Sequence, residues 1–209
     1  MKIKGMRWWI VVLLFLAAVL NYIDRQTLSA LAPTIQKDLE MDDQQYANVI
    51  NIFLIAYTIA YLVSGRIADK IGTRASLLLF VAWWSVANMF TAAARGVTSL
   101  GVYRFALGLG EAGIWPAASK AVSEWFPAKE RAIAQGIFGA GASLGSVVAA
   151  PFIAYLYVAF GWQATFIGIG ALCKDMGMSL TWSVIASGLI WAGPAQVILV
   201  SGIGAKTSL

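Results

Sequence analysis

Long apolar runs alternate with short polar breaks along the whole chain. Residues 8–20 are uniformly apolar, and small and apolar residues return at 27–32 after the polar interlude Asn21–Gln26. Further runs occupy about 46–64, 75–94, 100–122, 132–158 and 163–172. At about 1.5 Å of rise per helical residue, some twenty residues cross a hydrocarbon core of about 30 Å. The pattern predicts an all-α, polytopic transmembrane bundle with helices over about 8–32, 46–64, 75–94, 100–122, 132–158 and 163–172. The breaks are predicted as a polar loop at 34–45, a basic loop at 65–74, a short turn at 95–99 and a tight turn at Phe160-Gly161-Trp162. The last run is short, ten residues or about 15 Å. Cys173-Lys174-Asp175 interrupts it, and an uncharged stretch follows from Met176 to Ala205. Residues 173–209 are therefore expected to form a divergent tail with one further span.

Composition agrees with the pattern. Of 209 residues, 60% are hydrophobic and 12% charged, against about 25% charged in soluble domains. The single Cys173 excludes an intramolecular disulfide and a cysteine metal cluster. Histidine is absent, which removes the commonest general base, metal ligand and pH switch. No metal or cofactor is expected, and any proton chemistry falls to carboxylates.

The net charge of +5 would suggest nucleic acid in a soluble protein, but its distribution along the loops points to lipid instead. Lys2, Lys4, Arg7, Arg66, Lys70, Arg74, Lys120, Lys129, Arg131 and Lys174 collect on one side of the alternating spans, and Lys37 and Arg95 on the other. The positive-inside rule then puts the N-terminus in the cytoplasm. A cleaved signal peptide, with Ala30-Leu31-Ala32 as its cleavage site, competes for the first run. The charge alternation holds only if that run stays as a span.

Four charges stand inside spans: Asp24, Arg25, Arg104 and Glu111. An ionisable residue at membrane depth costs about 2.5–3.5 kcal/mol on insertion scales. Two acids and two bases can offset one another. Arg104 and Glu111 are seven residues apart and share a helix face, which Gly108, Trp115 and Ser119 continue. Tyr22, Arg25, Gln26 and Ser29 share a face of the first helix, with Asn21 and Asp24 beside it, and the second helix adds Asn51, Tyr57 and Tyr61. Two readings stand: a static ion network that holds helices together, or a cavity in which Arg25 or Arg104 binds an anion while carboxylates carry protons. A guanidinium suits a carboxylate because its fork donates two parallel hydrogen bonds.

Two motif matches lead nowhere. Gly108–Gly113 fits G-x-G-x-x-G, but no strand precedes it. Gly141-Ala142-Ser143-Leu144-Gly145 fits G-x-S-x-G, yet without histidine Ser143 lacks the usual base. No enzyme activity is expected. Gly141-xxx-Gly145 reads instead as a site of close helix approach.

Gly65-xxx-Asp69-Lys70-x-Gly72-x-Arg74 resembles the loop between helices 2 and 3 of major facilitator superfamily transporters, and Arg104-xxx-Gly108 resembles their helix-4 motif. Asn21–Arg25, Gly108–Gly113, Trp125-Phe126-Pro127 and Glu130-Arg131-Ala132 are similar to the anion:cation symporters, with residues 7–172 closest to bacterial hexuronate and sugar-acid transporters. The resemblance implies the N-terminal six-helix half of that fold, in a bacterial inner membrane. It implies proton-coupled symport of a hexuronate or aldonate anion. Asp24 and Glu111 would be proton sites; Arg25, Tyr22, Tyr57 and Arg104 would bind or line the substrate site. Gly65, Asp69, Lys70, Gly72 and Arg74 would form a cytoplasmic gate. Ala149-Ala150-Pro151 stands where antiporters end the helix-5 motif in Gly-Pro, which leans towards symport.

Such transporters place the site between two halves, so a closed path would need a C-terminal half or a second copy. The resemblance is expected to stop near Leu172, with the chain truncated or fused there and the tail resembling azaleucine-resistance-type branched-chain amino acid exporters. A non-transporting remnant or a membrane interaction protein is the alternative.

Overall fold

A computed structural model describes the backbone of residues 6–189 and the side chains of residues 7–173. Over these residues the chain forms α1 (Met6–Ala30), α2 (Ala32–Asp38), α3 (Asp43–Thr91), α4 (Val97–Glu111), α5 (Ile114–Trp125) and α6 (Ala128–Leu189). Among the described residues, three stretches are long and apolar enough to cross a membrane: Arg7–Ala30, Asp43–Thr91 and Ala128–Cys173.

The 49 residues of α3 would reach about 73 Å if straight, more than twice a bilayer core. The helix turns back at Gly72, where φ is 81° and ψ is 161°. That region is essentially closed to residues with a Cβ. Its two limbs, 43–71 and 73–91, lie side by side, with Ile59, Val63 and Ile67 sharing a hollow with Leu79 and Trp83. α6 bends in the same way at Gly161 (φ 80°, ψ 172°). The basic loop expected over 65–74 is thus a single glycine between helical limbs, while the turn expected at 160–162 is found. With α4 and α5 as one broken traverse, the described backbone makes six passes.

Three further sequence expectations are corrected. The helix predicted over 100–122 is interrupted at Ala112-Gly113. Pro116 has no N–H to give the Ala112 carbonyl, and its ring crowds that oxygen. The expected 34–45 loop is entered by α2, which has Pro33 in its first turn and runs to Asp38, and it ends in a capping box that starts α3. There the Gln45 amide donates to the Asp42 carboxylate at 2.7 Å, and the Asp42 amide donates to the Gln45 side chain at 3.1 Å. The sixth pass does not end at 172, because its helix carries through Lys174-Asp175 to Leu189. The rest of the proposed tail lies outside the described residues.

α1 packs chiefly on α6, and α4 on α3. Small residues set these approaches. A Cβ on Gly145 would stand 2.6 Å from the Val19 carbonyl and 2.9 Å from the Tyr22 Cβ, and Gly141 meets Phe15 and Ala18 in the same way. Gly108 lies against the Phe53 carbonyl, Gly110 against Trp83 and Trp84, and Gly113 against the Phe80 ring. The glycines of the apparent dinucleotide pattern therefore seat α4 in the fork of α3.

The two ends of the bundle differ in charge. At one end Arg7 pairs with Glu130 at 2.9 Å, Arg131 donates to the Phe126 and Ser123 carbonyls, and Lys120 meets Asp69 at 2.9 Å. At the other, the Trp162 indole donates to Asp38 at 2.7 Å and Thr34 to Tyr157 at 3.1 Å. Of the cations assigned to the basic side, Arg7, Lys120 and Arg131 stand at the first end.

Candidate functional site

The buried face of α1 runs through Leu14, Ala17, Ala18 and Asn21 to Asp24 and Leu28, the three-and-four spacing of a helix pressed on its neighbours. This register buries Asp24 completely and turns Arg25 outward, leaving its side chain 32% exposed. On α4 the same logic buries Arg104 and Glu111, two turns apart. All four charges predicted from the sequence therefore come together in the middle of the bundle.

Their partners are unequal. Arg25 Nη2 donates to Glu111 Oε2 at 3.2 Å. The Arg25 guanidinium also lies over Tyr57 at 4.6 Å, Tyr22 at 5.5 Å and Phe53 at 5.7 Å from the ring centroids. Three rings favour the cation through their quadrupoles and hold the fork in place. Tyr57 stacks on Tyr61 at 6.2 Å, and Tyr22 meets Trp115 edge to face at 6.2 Å. Arg104 lies 5.0 Å from the Phe166 ring and keeps its Nε and Nη2 unpaired.

Asp24 has no hydrogen-bond partner for either oxygen, and neither polar atom of Asn21 has one. Both Glu111 and Arg104 act on Asp24 electrostatically. Glu111 Oε1 is likewise unpaired. Buried polar atoms without partners cost about 1–3 kcal/mol each, so this cluster of charges is the candidate site. Static ion pairs alone would bring these donors and acceptors within bonding distance.

The expected gate residues lie around Gly72. Asp69 accepts from Lys120 of α5, and Lys120 also donates to the Ala68 carbonyl at 2.9 Å. Thr73 donates to Glu124 at 2.6 Å. Lys70 and Arg74 are exposed. Sequence reasoning missed Lys120 and Glu124, an i,i+4 pair whose further partners, Asp69 and Thr73, lie some fifty residues away. It also missed Phe53 and Phe166, which look like ordinary core residues until the fold aims guanidinium groups at them. Ser143 is exposed on α6.

Residues 14–197 match the model of the family described as Major Facilitator Superfamily, a match that continues past residue 172. The chain is 43% identical over 171 residues to a hexuronate transporter of Escherichia coli (strain K12), covering 82% of this chain and 40% of that protein. It is 39% identical over 183 residues to a galacturonate transporter of Dickeya chrysanthemi, covering 88% and 51%. Among solved structures it superposes with a TM-score of 0.77 on a bacterial homologue of the human lysosomal transporter Spinster, inward-facing and unoccupied. That match is 25% identical and covers 86% of this chain and 43% of the other. The chain thus spans about half the length of the curated relatives it matches. Those relatives are transporters, not enzymes, and none of these comparisons carries the tail's expected likeness to amino acid exporters.

Proposed function

This chain belongs to the Major Facilitator Superfamily, a family of membrane proteins, and from that premise we propose that it supplies one half of a proton-coupled symporter for a sugar-acid anion. The observation that carries this reading is the buried carboxylate pair beside an outward-turned arginine. The relatives' substrates, hexuronate and galacturonate, each bear one carboxylate and several hydroxyls. Arg25 matches the first with its bidentate fork, and Tyr22 and Tyr57 present rings and hydroxyls for the second.

In this mechanism an arriving anion competes with Glu111 for the Arg25 guanidinium. Glu111, released in a low-dielectric site, takes up a proton because a buried unpaired carboxylate is costly. Asp24 is the second proton site. Arg104, fully enclosed, balances whichever carboxylate is charged and stays behind the substrate. Entry of proton and anion from the periplasm, rocking, and release into the cytoplasm complete the cycle. The bend at Gly72, with Gly65, Asp69 and Arg74 and with Lys70 at its edge, forms the cytoplasmic gate, which Lys120 holds through Asp69. The charge asymmetry of the loops supports a cytoplasmic N-terminus, and the likeness to bacterial transporters supports a bacterial inner membrane.

The test is uptake of labelled galacturonate and glucuronate by the transporter carrying these residues, under an imposed pH gradient and without one. Accumulation above equilibrium is expected only with the gradient. Equal accumulation in both conditions would overturn proton coupling, and failure to take up either sugar acid would overturn the substrate class.

A further inference from the structure

The outer flank of α3 carries a feature that the charged site does not use. Ile59, Val63, Ile67, Leu79 and Trp83 line an apolar hollow of about 330 Å³ between the two limbs of α3 and the side of α4. A second apolar hollow, of about 440 Å³, shares Leu79 and Trp83 and extends to Phe90. The Trp83 indole donates to the Ala106 carbonyl at 2.8 Å, so the ring is fixed as a low ridge between two parts of one groove. At about 1.5 Å per residue, Ile67 lies roughly 8 Å from the Gly72 bend and Phe90 roughly 27 Å from it. The groove therefore runs along most of the membrane thickness. Its walls are exposed, with Val63 at 46% and Trp83 at 48%.

The groove's basic end is charged. Along the first limb of α3, residues 59, 63 and 67 follow an i, i+4 stripe, and Arg66 and Lys70 stand three residues beyond Val63 and Ile67 on the same side. Both cations are exposed, and neither takes part in an ion pair among the described residues. The neighbouring carboxylate, Asp69, is already engaged by Lys120. A long apolar slot topped by two unneutralised cations at the membrane surface has the dimensions and charge of a single anionic phospholipid.

We propose that this groove is a binding site for an anionic phospholipid, its acyl chain lying along Ile59–Ile67 and Trp83 and its phosphate between Arg66 and Lys70. The sugar-acid site plays no part in the proposal. Lipid bound here spans both limbs of the Gly72 bend and so ties the bend to the membrane.

Native mass spectrometry of the purified, delipidated chain, titrated separately with dioleoyl phosphatidylglycerol and dioleoyl phosphatidylethanolamine, tests it. The first phosphatidylglycerol is expected to bind about tenfold more tightly than phosphatidylethanolamine. R66Q/K70Q should abolish that preference, whereas R74Q/K129Q, a charge-matched change at the same end but off the groove, should retain it. V63W, which fills the hollow from an exposed position, should weaken both lipids. No preference in the parent chain, a preference that survives R66Q/K70Q, an equal loss in R74Q/K129Q, or unchanged binding in V63W would each overturn the site.

Discussion

Arg25 reaches Glu111 across 86 residues of sequence, and the contact joins a partly exposed cation to a fully buried carboxylate at 3.2 Å. Because only one partner is accessible, an incoming anion can displace the bond from one side alone. Replacing Glu111 with Gln keeps an acceptor for Arg25 but removes the charge that a proton must neutralise. Galacturonate exchange across a vesicle membrane should persist in E111Q, while accumulation driven by a pH gradient falls at least tenfold. Loss of both activities in a folded E111Q protein would mean that the pair serves binding and not coupling.

The same geometry separates charge from shape at Arg25. Lysine retains the positive charge and loses the planar fork and its contact with Tyr57, Tyr22 and Phe53. R25K is expected to raise the KM for galacturonate about tenfold or more, with a smaller effect on maximal rate. A KM within twofold of the parent would show that the guanidinium does not hold the substrate carboxylate.

The long apolar runs up to residue 172, the polar interlude in the first span and the set of buried charges could be read from hydrophobic pattern and charge alone. Those features are local: a run of apolar residues long enough for a bilayer, or an ion where none should be. What escaped depends on one residue or on distant ones. Pro116 breaks the fourth pass, and Gly72 compresses an expected loop to a single position; each is a one-residue signal inside an otherwise uniform run. The unequal fates of Asp24 and Arg25, adjacent in sequence, follow from which side of α1 faces α4 and α6, and spacing alone does not fix that. Lys120 and Phe166 acquire their roles only through partners more than fifty residues away.

Gly72 and Gly161 both sit near φ 80° with extended ψ, a region where a Cβ costs on the order of 1–3 kcal/mol. A methyl added at either position would meet nothing within 4 Å, so backbone strain alone sets the penalty. G72A and G161A should each lower the thermal unfolding midpoint in detergent by several degrees. Unchanged midpoints would show that the bends adopt a different backbone.

Gly145 tests packing in place of strain. It lies so close to the Val19 carbonyl that an added methyl would stand 2.6 Å away, against backbone that cannot rotate aside. Overpacking of this kind costs about 1–3 kcal/mol. G145A should destabilise the bundle by that order, while G139A, on the same limb with nothing within 4 Å, should be neutral or slightly stabilising because alanine favours helix. Equal midpoints for the two variants would remove Gly145 from the contact between α1 and α6.

Asp24 presents the sharpest case, because its carboxylate is completely buried and neither oxygen has a hydrogen-bond donor. A group kept only for stability in that position would be better replaced, since a buried charge without partners is expensive. Asparagine has nearly the same shape and cannot ionise. If Asp24 stores a proton during transport, D24N should fold, match or exceed the parent in thermal stability, and lose at least tenfold in proton-driven sugar-acid accumulation. If Asp24 is only part of a static network around Arg104, D24N should lose stability and keep its coupling. Thermal unfolding and gradient-driven uptake, measured on the same preparation, separate the two. Unchanged accumulation in D24N would end Asp24's role as a proton site.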